Sequence, residues 1–290
     1  DLVAQRIRGT RRATFADDPV RLLRGVRLER ELQFRIEPLT EDWIRADAPL
    51  LVNAAAERIR DEVVRGLGLP AASSFIQRLD QLDILPHIFP EITRLQGAEQ
   101  SHPHRFDVWA HTLRVLDNVD GVVATVMGEP LPAESDAFAE IPGAAWGELT
   151  RRIGQFAESV RRHFSVVVSA GRDRLLLLRL AALLHDVGKP QTRCENDDAR
   201  THFHGHESRG SRGAAVRMRA LRFSSSEVSR VRRMVAAHLR PAQLAREDRV
   251  TRRAIYRYFR DTGDAGVDTV LLSLADHLAT WGPNLRESRW

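Results

Sequence analysis

Leu183-Leu184-His185-Asp186-Val187-Gly188-Lys189-Pro190 closes an apolar run that begins at Leu175 and is broken only by Arg179. A run of that length and composition reads as a buried helix. Charge is costly to bury unless it is paired or coordinated. An Asp at the end of a core helix, directly after a His, therefore marks a metal-site candidate. The pair offers one imidazole nitrogen and one carboxylate oxygen to the same divalent cation. Further ligands have to come from elsewhere in the chain, and His111 upstream with His206, His238 and Asp276 downstream are the candidates.

Outward from this string the pattern is helical almost throughout. Asp18-Pro19 reads as a helix start, with Asp at the N-cap and Pro in the first turn, and Leu22, Leu23 and Val26 mark its apolar face. Residues 53–67 form a second candidate capped at Asn53 and ended by Gly66, Gly68 and Pro70. Residues 73–98 read as a helix, a turn and a short helix, broken by Pro86 and Pro90. A helix over 104–119 bears His111. The glycines, prolines and acids of 120–150 predict an exposed, partly flexible insertion. Helices are expected at about 151–168, 172–186, 207–221, 226–238, 250–261 and 265–281. Only 199–204, ARTHFH, suggests extended chain. The expected fold class is all-α.

The HD string lies among others that carry a resemblance. Residues 14–37, TFADDPVRLLRGVRLERELQFRIE, residues 90–113, PEITRLQGAEQSHPHRFDVWAHTL, and residues 203–210, FHGHESRG, occur in that order around LLHDVGKP. Together they resemble the C-terminal part of bacterial tRNA nucleotidyltransferases and poly(A) polymerase-type proteins. There, a helical neck that binds RNA joins a C-terminal HD domain of the metal-dependent phosphohydrolase type. The resemblance spans nearly the whole chain apart from about 120–165. It implies a neck over 1–70 and an HD domain over 71–290. The family's nucleotidyl-transferring head, with its Gly-Ser pair, two-aspartate motif and Arg-Arg-Asp string, does not occur as a unit in these residues; Arg11-Arg12 is followed by Ala13. The chain starts at Asp1, and we read it as a fragment of a longer protein that does not itself add nucleotides.

The resemblance also implies site residues. His111, in VWAHTLRVL, reads alone as an ordinary core or surface histidine; matched to the family string it is a ligand. With His185, Asp186 and Asp276 it makes a one-metal set. His206 and His238 imply a second ion, with Asp186 bridging, although a structural role at a helix start is the other reading of His206. Nitrogen and oxygen donors without thiolate suit Mn, Fe, Ni, Co or Zn, and Mg less well. Such a cation lowers the pKa of its water and neutralises phosphoryl charge. Asp186 and Lys189 are the catalytic candidates, Lys189 as a phosphate contact or else as a solvated lysine beside Gly188. Arg193 and Arg209 are weaker candidates for the same contact. In the neck, Asp18 and Arg21 match residues that hydrogen-bond an incoming base, with Asp17 where Glu is usual. Arg24 joins them as a nucleotide or RNA contact, or serves as an ion-pair residue.

Composition narrows the class. The chain has 290 residues, 43% hydrophobic and 29% charged, as in an ordinary soluble globular protein. Arginine supplies nearly all of its 44 basic side chains and the formal net charge is +5. Arg forks suit phosphate, and the balance permits a tRNA-like partner, although codon bias alone can enrich Arg. The single cysteine, Cys194, excludes disulfides within the chain and fits a cytoplasmic setting. No segment suits a bilayer. Three functions follow: a phosphohydrolase acting on nucleotide or RNA-end phosphoesters, the RNA-holding part of a CCA-adding enzyme, or a binding module with a degenerate site.

Overall fold

The computed structural model describes residues 1–132, 135–195 and 201–287. Among these the fold is all-α apart from three two-stranded pairings, each of two or three residues per strand. It divides into two compact units: Asp1–Thr93 with Ala220–Phe223, and Arg94–Arg219 with Ser224–Trp290. The N-terminal unit therefore extends past residue 70, because 71–93 packs with it. Among the described residues no helix is long and apolar enough to cross a membrane.

The N-terminal unit is built from α1 (Val20–Glu31), α2 (Pro38–Asp47), α3 (Ala56–Leu67) and α4 (Ala72–Gln81). Helices α1, α3 and α4 pack on one another through fully buried Leu22, Leu23, Val26, Val63, Leu67, Phe75 and Leu79. Two expected caps are displaced. Pro19, not Asp18, stands at the N-cap of α1 without a side-chain cap bond, and Asp18 Oδ2 accepts from Arg58 instead. Asn53 ends a 3-10 turn, and α3 starts three residues later behind Ala55. Gly66 does not end α3. It lies inside the helix, and glycine is required there because a Cβ would stand 2.2 Å from the Phe75 ring.

The larger unit centres on α5 (Val108–Met127), α8 (Arg174–Leu184), α10 (Ser225–Ala237) and α13 (Gly266–Trp281), which pack against one another. Between them run α6 (Gly143–Ile153), α7 (Ala157–Phe164), α9 (His206–Ala220), α11 (Arg240–Ala245) and α12 (Arg252–Thr262). Helix starts are capped where sequence chemistry permits: Asp107 on α5, Asp173 on α8 and Thr251 on α12 each accept from a backbone N–H three residues on. Ser224 and Glu227 form a reciprocal capping box on α10.

The expected exposed insertion at 120–150 is in part core, with 128–131 exposed. Helix α5 continues to Met127, with Val119, Val122 and Val126 buried, and Ile141, Trp146 and Leu149 are buried beyond it. Gly121 is needed for packing rather than for a turn, since a Cβ would meet Phe138 at 2.6 Å and Trp146 at 2.9 Å. The charge at Asp120 is matched by Arg179 at 2.7 Å. Of the extended stretch at 199–204, Thr201–Phe203 pairs antiparallel with Arg193–Glu195; residues 199 and 200 lie outside the described residues.

Candidate metal centre

Helix α8 is buried along most of its length, with Leu177, Leu178 and Leu180 through Leu184 fully enclosed. Its chain leaves the helix at His185 and turns sharply through Asp186 and Gly188 to Lys189, closed by Lys189 N–H to Asp186 O at 2.9 Å. Gly188 is dictated by space: a Cβ there would stand 2.2 Å from His206 O and 2.6 Å from Gly210 N. The start of α9 lies directly on this turn, which brings His206 to Asp186. His238 comes from the C-terminal end of α10, His111 from the first turn of α5, and Asp276 from the last turns of α13.

These side chains converge on one buried carboxylate. Asp186 Oδ2 lies 3.0 Å from His185 Nε2 and 3.9 Å from His111 Nε2. Its other oxygen, Oδ1, lies 3.3 Å from His206 Nε2 and 4.0 Å from His238 Nε2. Asp276 Oδ1 meets His111 Nε2 at 3.0 Å. The arrangement resolves into two donor sets that share Asp186: His111 with His185, and His206 with His238. His111, His185, Asp186 and His238 are all at most 2% exposed.

Three of the four imidazoles are aimed by the same device. His185, His206 and His238 each donate Nδ1–H to the carbonyl three residues back, Ala182, Phe203 and Val235, at 2.7–2.8 Å. That fixes the tautomer and leaves the Nε2 lone pair facing inward. His206 and His238 then present Nε2 to Nε2 at 3.4 Å. Two neutral rings of this tautomer have no proton to place between them, whereas a shared cation satisfies both. His185 Nε2 is likewise buried, and what it faces is a second acceptor, the Asp186 carboxylate at 3.0 Å. The residues present thus fit a divalent cation by donor chemistry, by orientation and by what is left unsatisfied.

The local field favours the neutral ring at two of these imidazoles. Burial lowers the His111 imidazole, and it lowers that of His238 to about 4, so both rings favour the neutral form near pH 7. Burial also pulls His185 down, but the Asp186 carboxylate outweighs it and holds the ring above the ordinary histidine value. For Asp186 burial opposes ionisation, and His185 with Lys189 overcomes it, holding the carboxylate well below its usual range. Asp276 is held low against burial chiefly by its hydrogen bond from His111.

Lys189 is not a solvated lysine. It is 5% exposed, with Nζ 2.7 Å from Asp186 Oδ2 and 2.6 Å from Gln100 Oε1. Arg193 pairs with Glu195 and Arg209 donates to Gln191, so both are engaged away from the carboxylate. In the N-terminal unit Asp18 Oδ2 takes Arg58 at 2.9 Å and Arg21 at 3.6 Å, while Asp18 Oδ1 is buried without a side-chain partner. Arg24 instead donates twice to buried Glu62. His163, which reads from sequence as an ordinary polar residue, joins a buried network with Asp268 and Arg174.

A cleft of about 390 Å³ opens onto the cluster. Residues not singled out by sequence line it as well, among them Ser273, Thr280 and Trp281, together with His277 and with His102, which reads as an ordinary polar position. His104 lines it too; burial lowers its imidazole to about 3, and its Nδ1 has no hydrogen-bond partner. Gln100, which holds Lys189, carries no pattern that could have revealed it.

Two family models match the chain: "Probable RNA and SrmB- binding site of polymerase A" over residues 33–95, and the HD domain over residues 147–281. The HD match includes five members of the cluster and begins beyond His111, which the fold brings in. Among similar proteins, the A-adding tRNA nucleotidyltransferase of Deinococcus radiodurans is 31% identical over 93% of this chain and 51% of its own length. The CC-adding enzyme of Thermus thermophilus is 29% identical over 94% of this chain and 52% of its own. The chain thus spans about half the length of these curated relatives. Among solved structures, a tRNA-processing enzyme in an apo form aligns with TM-score 0.54 at 15% identity, covering 99% of this chain and 59% of that one. A CCA-adding enzyme in apo form I aligns with TM-score 0.53 at 15% identity, covering 100% of this chain and 50% of that one; both show the fold. With its RNA-binding region, its HD domain and relatives matched along nearly its whole length, the chain belongs to the bacterial tRNA nucleotidyltransferase and poly(A) polymerase family.

Proposed function

We propose that the unit carrying the cluster is a metal-dependent phosphohydrolase acting on nucleotide or RNA-end phosphoesters. One observation carries the reading: Asp186 turns each of its two oxygens toward a different pair of imidazoles, and in the His206–His238 pair the facing nitrogens lack a proton to satisfy one another. His111, His185, Asp186 and Asp276 would hold one divalent ion, and Asp186, His206 and His238 a second. When bound, such ions supply charge neutralisation at a phosphoryl oxygen and a nucleophile near neutral pH. The chain's own residues do the rest. Lys189, oriented by Gln100, offers its ammonium to a phosphoryl oxygen entering beside Asp186. Backbone carbonyls hold the imidazoles in position, so little reorganisation accompanies binding. The enclosed wall of α8 limits water around the charges and strengthens each interaction.

The test is direct. Purified protein is analysed for bound transition metal and assayed on 2′,3′-cyclic nucleotides and 2′-nucleotides with added Mn, Ni, Co, Zn or Mg. His185→Ala and Asp186→Ala are expected to lose metal and activity together. Full activity in a metal-free double variant ends the proposal.

A second reading concerns the longer protein. Its relatives are A-adding and CC-adding enzymes, and the N-terminal unit carries a buried Asp18 oxygen without a side-chain partner beside Arg21. On this reading the chain is the RNA-holding part of a tRNA nucleotidyltransferase. Asp18 accepts from an exocyclic amine, Arg21 donates to ring acceptors, and the bundle serves chiefly as scaffold. The 290-residue chain should then bind tRNA in a salt-dependent manner without adding nucleotides. Salt-independent binding counts against this reading.

A further inference from the structure

The cleft does not end at the metal cluster. Between α11 and α13 lies a second hollow of about 200 Å³. Its walls include Ala245 of α11 with Val270 and Leu274 of α13, and Arg246, Ser273 and His277 border both this hollow and the cleft. Residues 270, 273, 274 and 277 follow helical one-face spacing, so a single strip of α13 runs from the hollow to the cluster. Asp276 is on that helix, and α11 begins two residues after His238. Both walls are therefore direct extensions of ligand-bearing elements. At about 1.5 Å of rise per residue, Val270 stands about 9 Å along α13 from Asp276.

A mainly apolar compartment this close to a buried charge cluster calls for an amphipathic occupant: one end anionic, the other flat and apolar with a polar edge. A nucleoside phosphate has that form. The hollow is too small for a helix, and its shared border with the cleft makes it the far end of one site. Val270, 41% exposed, offers surface to the face of a ring, and the Arg246 guanidinium at the border suits a heterocycle by stacking or by donation to its edge.

We propose that this hollow seats the nucleobase of a substrate whose phosphoester lies at the Asp186 cluster, so that the site selects nucleoside phosphates over phosphate esters without a base. The proposal rests on the phosphohydrolase reading for its phosphate end, and its test separates the two. Ala245→Trp fills the hollow from the exposed end of α11, seven residues along the chain from His238 and not itself a proposed ligand. The manganese-loaded 290-residue protein is assayed on adenosine 2′-monophosphate and on glycerol 2-phosphate, and nucleotide binding is measured by calorimetry. Filling the hollow should lower the nucleotide-to-glycerol ratio of kcat/KM about tenfold and raise the nucleotide Kd by a similar factor, as expected for loss of one stacked base. An unchanged ratio with unchanged Kd overturns the subsite, as does an equal loss on both substrates. If the native chain hydrolyses neither ester but the Kd still rises on filling, the subsite stands and the phosphohydrolase reading falls. Should Ala245→Trp fail to fold, Val270→Phe blocks the hollow from its other wall and must give the same result.

Discussion

In the N-terminal unit Glu62 is 2% exposed and receives Arg24, Arg27 and Arg65. In the larger unit Asp186 is just as buried but faces imidazoles and a single ammonium. The difference lies in what the partner can give up. A guanidinium is always charged and has no lone pair to offer, so the pairs it makes are closed. An imidazole held by its Nδ1–H offers a lone pair at Nε2, and a carboxylate ringed by such groups stays open to a cation. The larger unit contains both kinds. Asp268, with no exposure, is closed by Arg174, Arg230 and His163, and Asp120 by Arg179. Burial of charge alone therefore does not mark the site; the kind of neighbour does.

That contrast breaks most decisively at Asp186. Asp186→Asn removes the shared carboxylate of both donor sets and should lower metal affinity and phosphoesterase activity by more than about a hundredfold, since even outer-shell changes cost about 10–100-fold. Asp268→Asn should do the reverse, costing up to about 3–5 kcal/mol of stability because buried Arg174 and Arg230 would keep only the exposed Asp264 as counter-ion, while metal content per folded molecule stays unchanged. Elemental analysis and urea denaturation of both variants decide the matter. Metal loss from folded Asp268→Asn, or metal retention by Asp186→Asn, would show that the open and closed classes are misdrawn.

Glu62→Gln extends the comparison to the N-terminal unit. It leaves Arg27, 12% exposed, with only the exposed Glu31 as counter-ion and should destabilise by up to about 3 kcal/mol, again without changing bound metal. A change below about 0.5 kcal/mol in urea denaturation would mean that the arginines relax into solvent and that the cluster is not closed.

How much of this is legible in the sequence depends on whether the cause is local. The HD pair is legible because an apolar helix ending in a charged dipeptide states its own problem: Asp186 needs a partner. His111 is legible only through resemblance, since a lone histidine on a helix carries no direction. The meeting of His206 and His238 near Asp186 is expected from the resemblance, but what seats His206 there is α9 resting on Gly188, a contact that no local pattern states. The segment from Gly121 to Trp146 misleads for a related reason. Its glycines and prolines suggest turns, yet Gly121 makes room for Phe138 and Trp146 in the core. Arg24 and Gln100 are settled by partners 38 and 89 residues away, which no local pattern encodes.

Glu227 provides a smaller effect, visible in pH. Burial opposes its ionisation, but hydrogen bonds from Arg172 and Ser224 outweigh this and hold it below the ordinary glutamate value. A carboxylate depressed on folding contributes stability that is fully present above its unfolded pKa, about 4.3, and is lost as pH falls through the lower folded value. Glu227→Gln should therefore cost about 1–3 kcal/mol near neutral pH, and the gap to the native protein should narrow as pH falls below about 4.3. A constant gap from about pH 7 to about pH 3 would show that the loss is one of cap geometry alone.

The smallest expected effect on stability falls on Asp18, a carboxylate that blurs the distinction between the units. Its carboxylate has Arg58, Arg21 and the Val20 backbone N–H, and its Oδ1 is buried without a side-chain partner. Arg58 is 51% exposed and Arg21 45%, so solvent screens both pairs and Asp18→Asn should alter stability by less than about 1 kcal/mol. If Oδ1 awaits a base amine, the same substitution should weaken nucleotide binding by the N-terminal unit well beyond its effect on folding, because Asn can turn its own amide toward the donor and leave two donors facing. Calorimetric titration with CTP and ATP reads this directly, and Arg58→Ala, which keeps the acceptor, separates charge from hydrogen bonding. Loss of stability above about 2 kcal/mol with unchanged nucleotide affinity would place Asp18 with Glu62, as one more carboxylate closed by arginine.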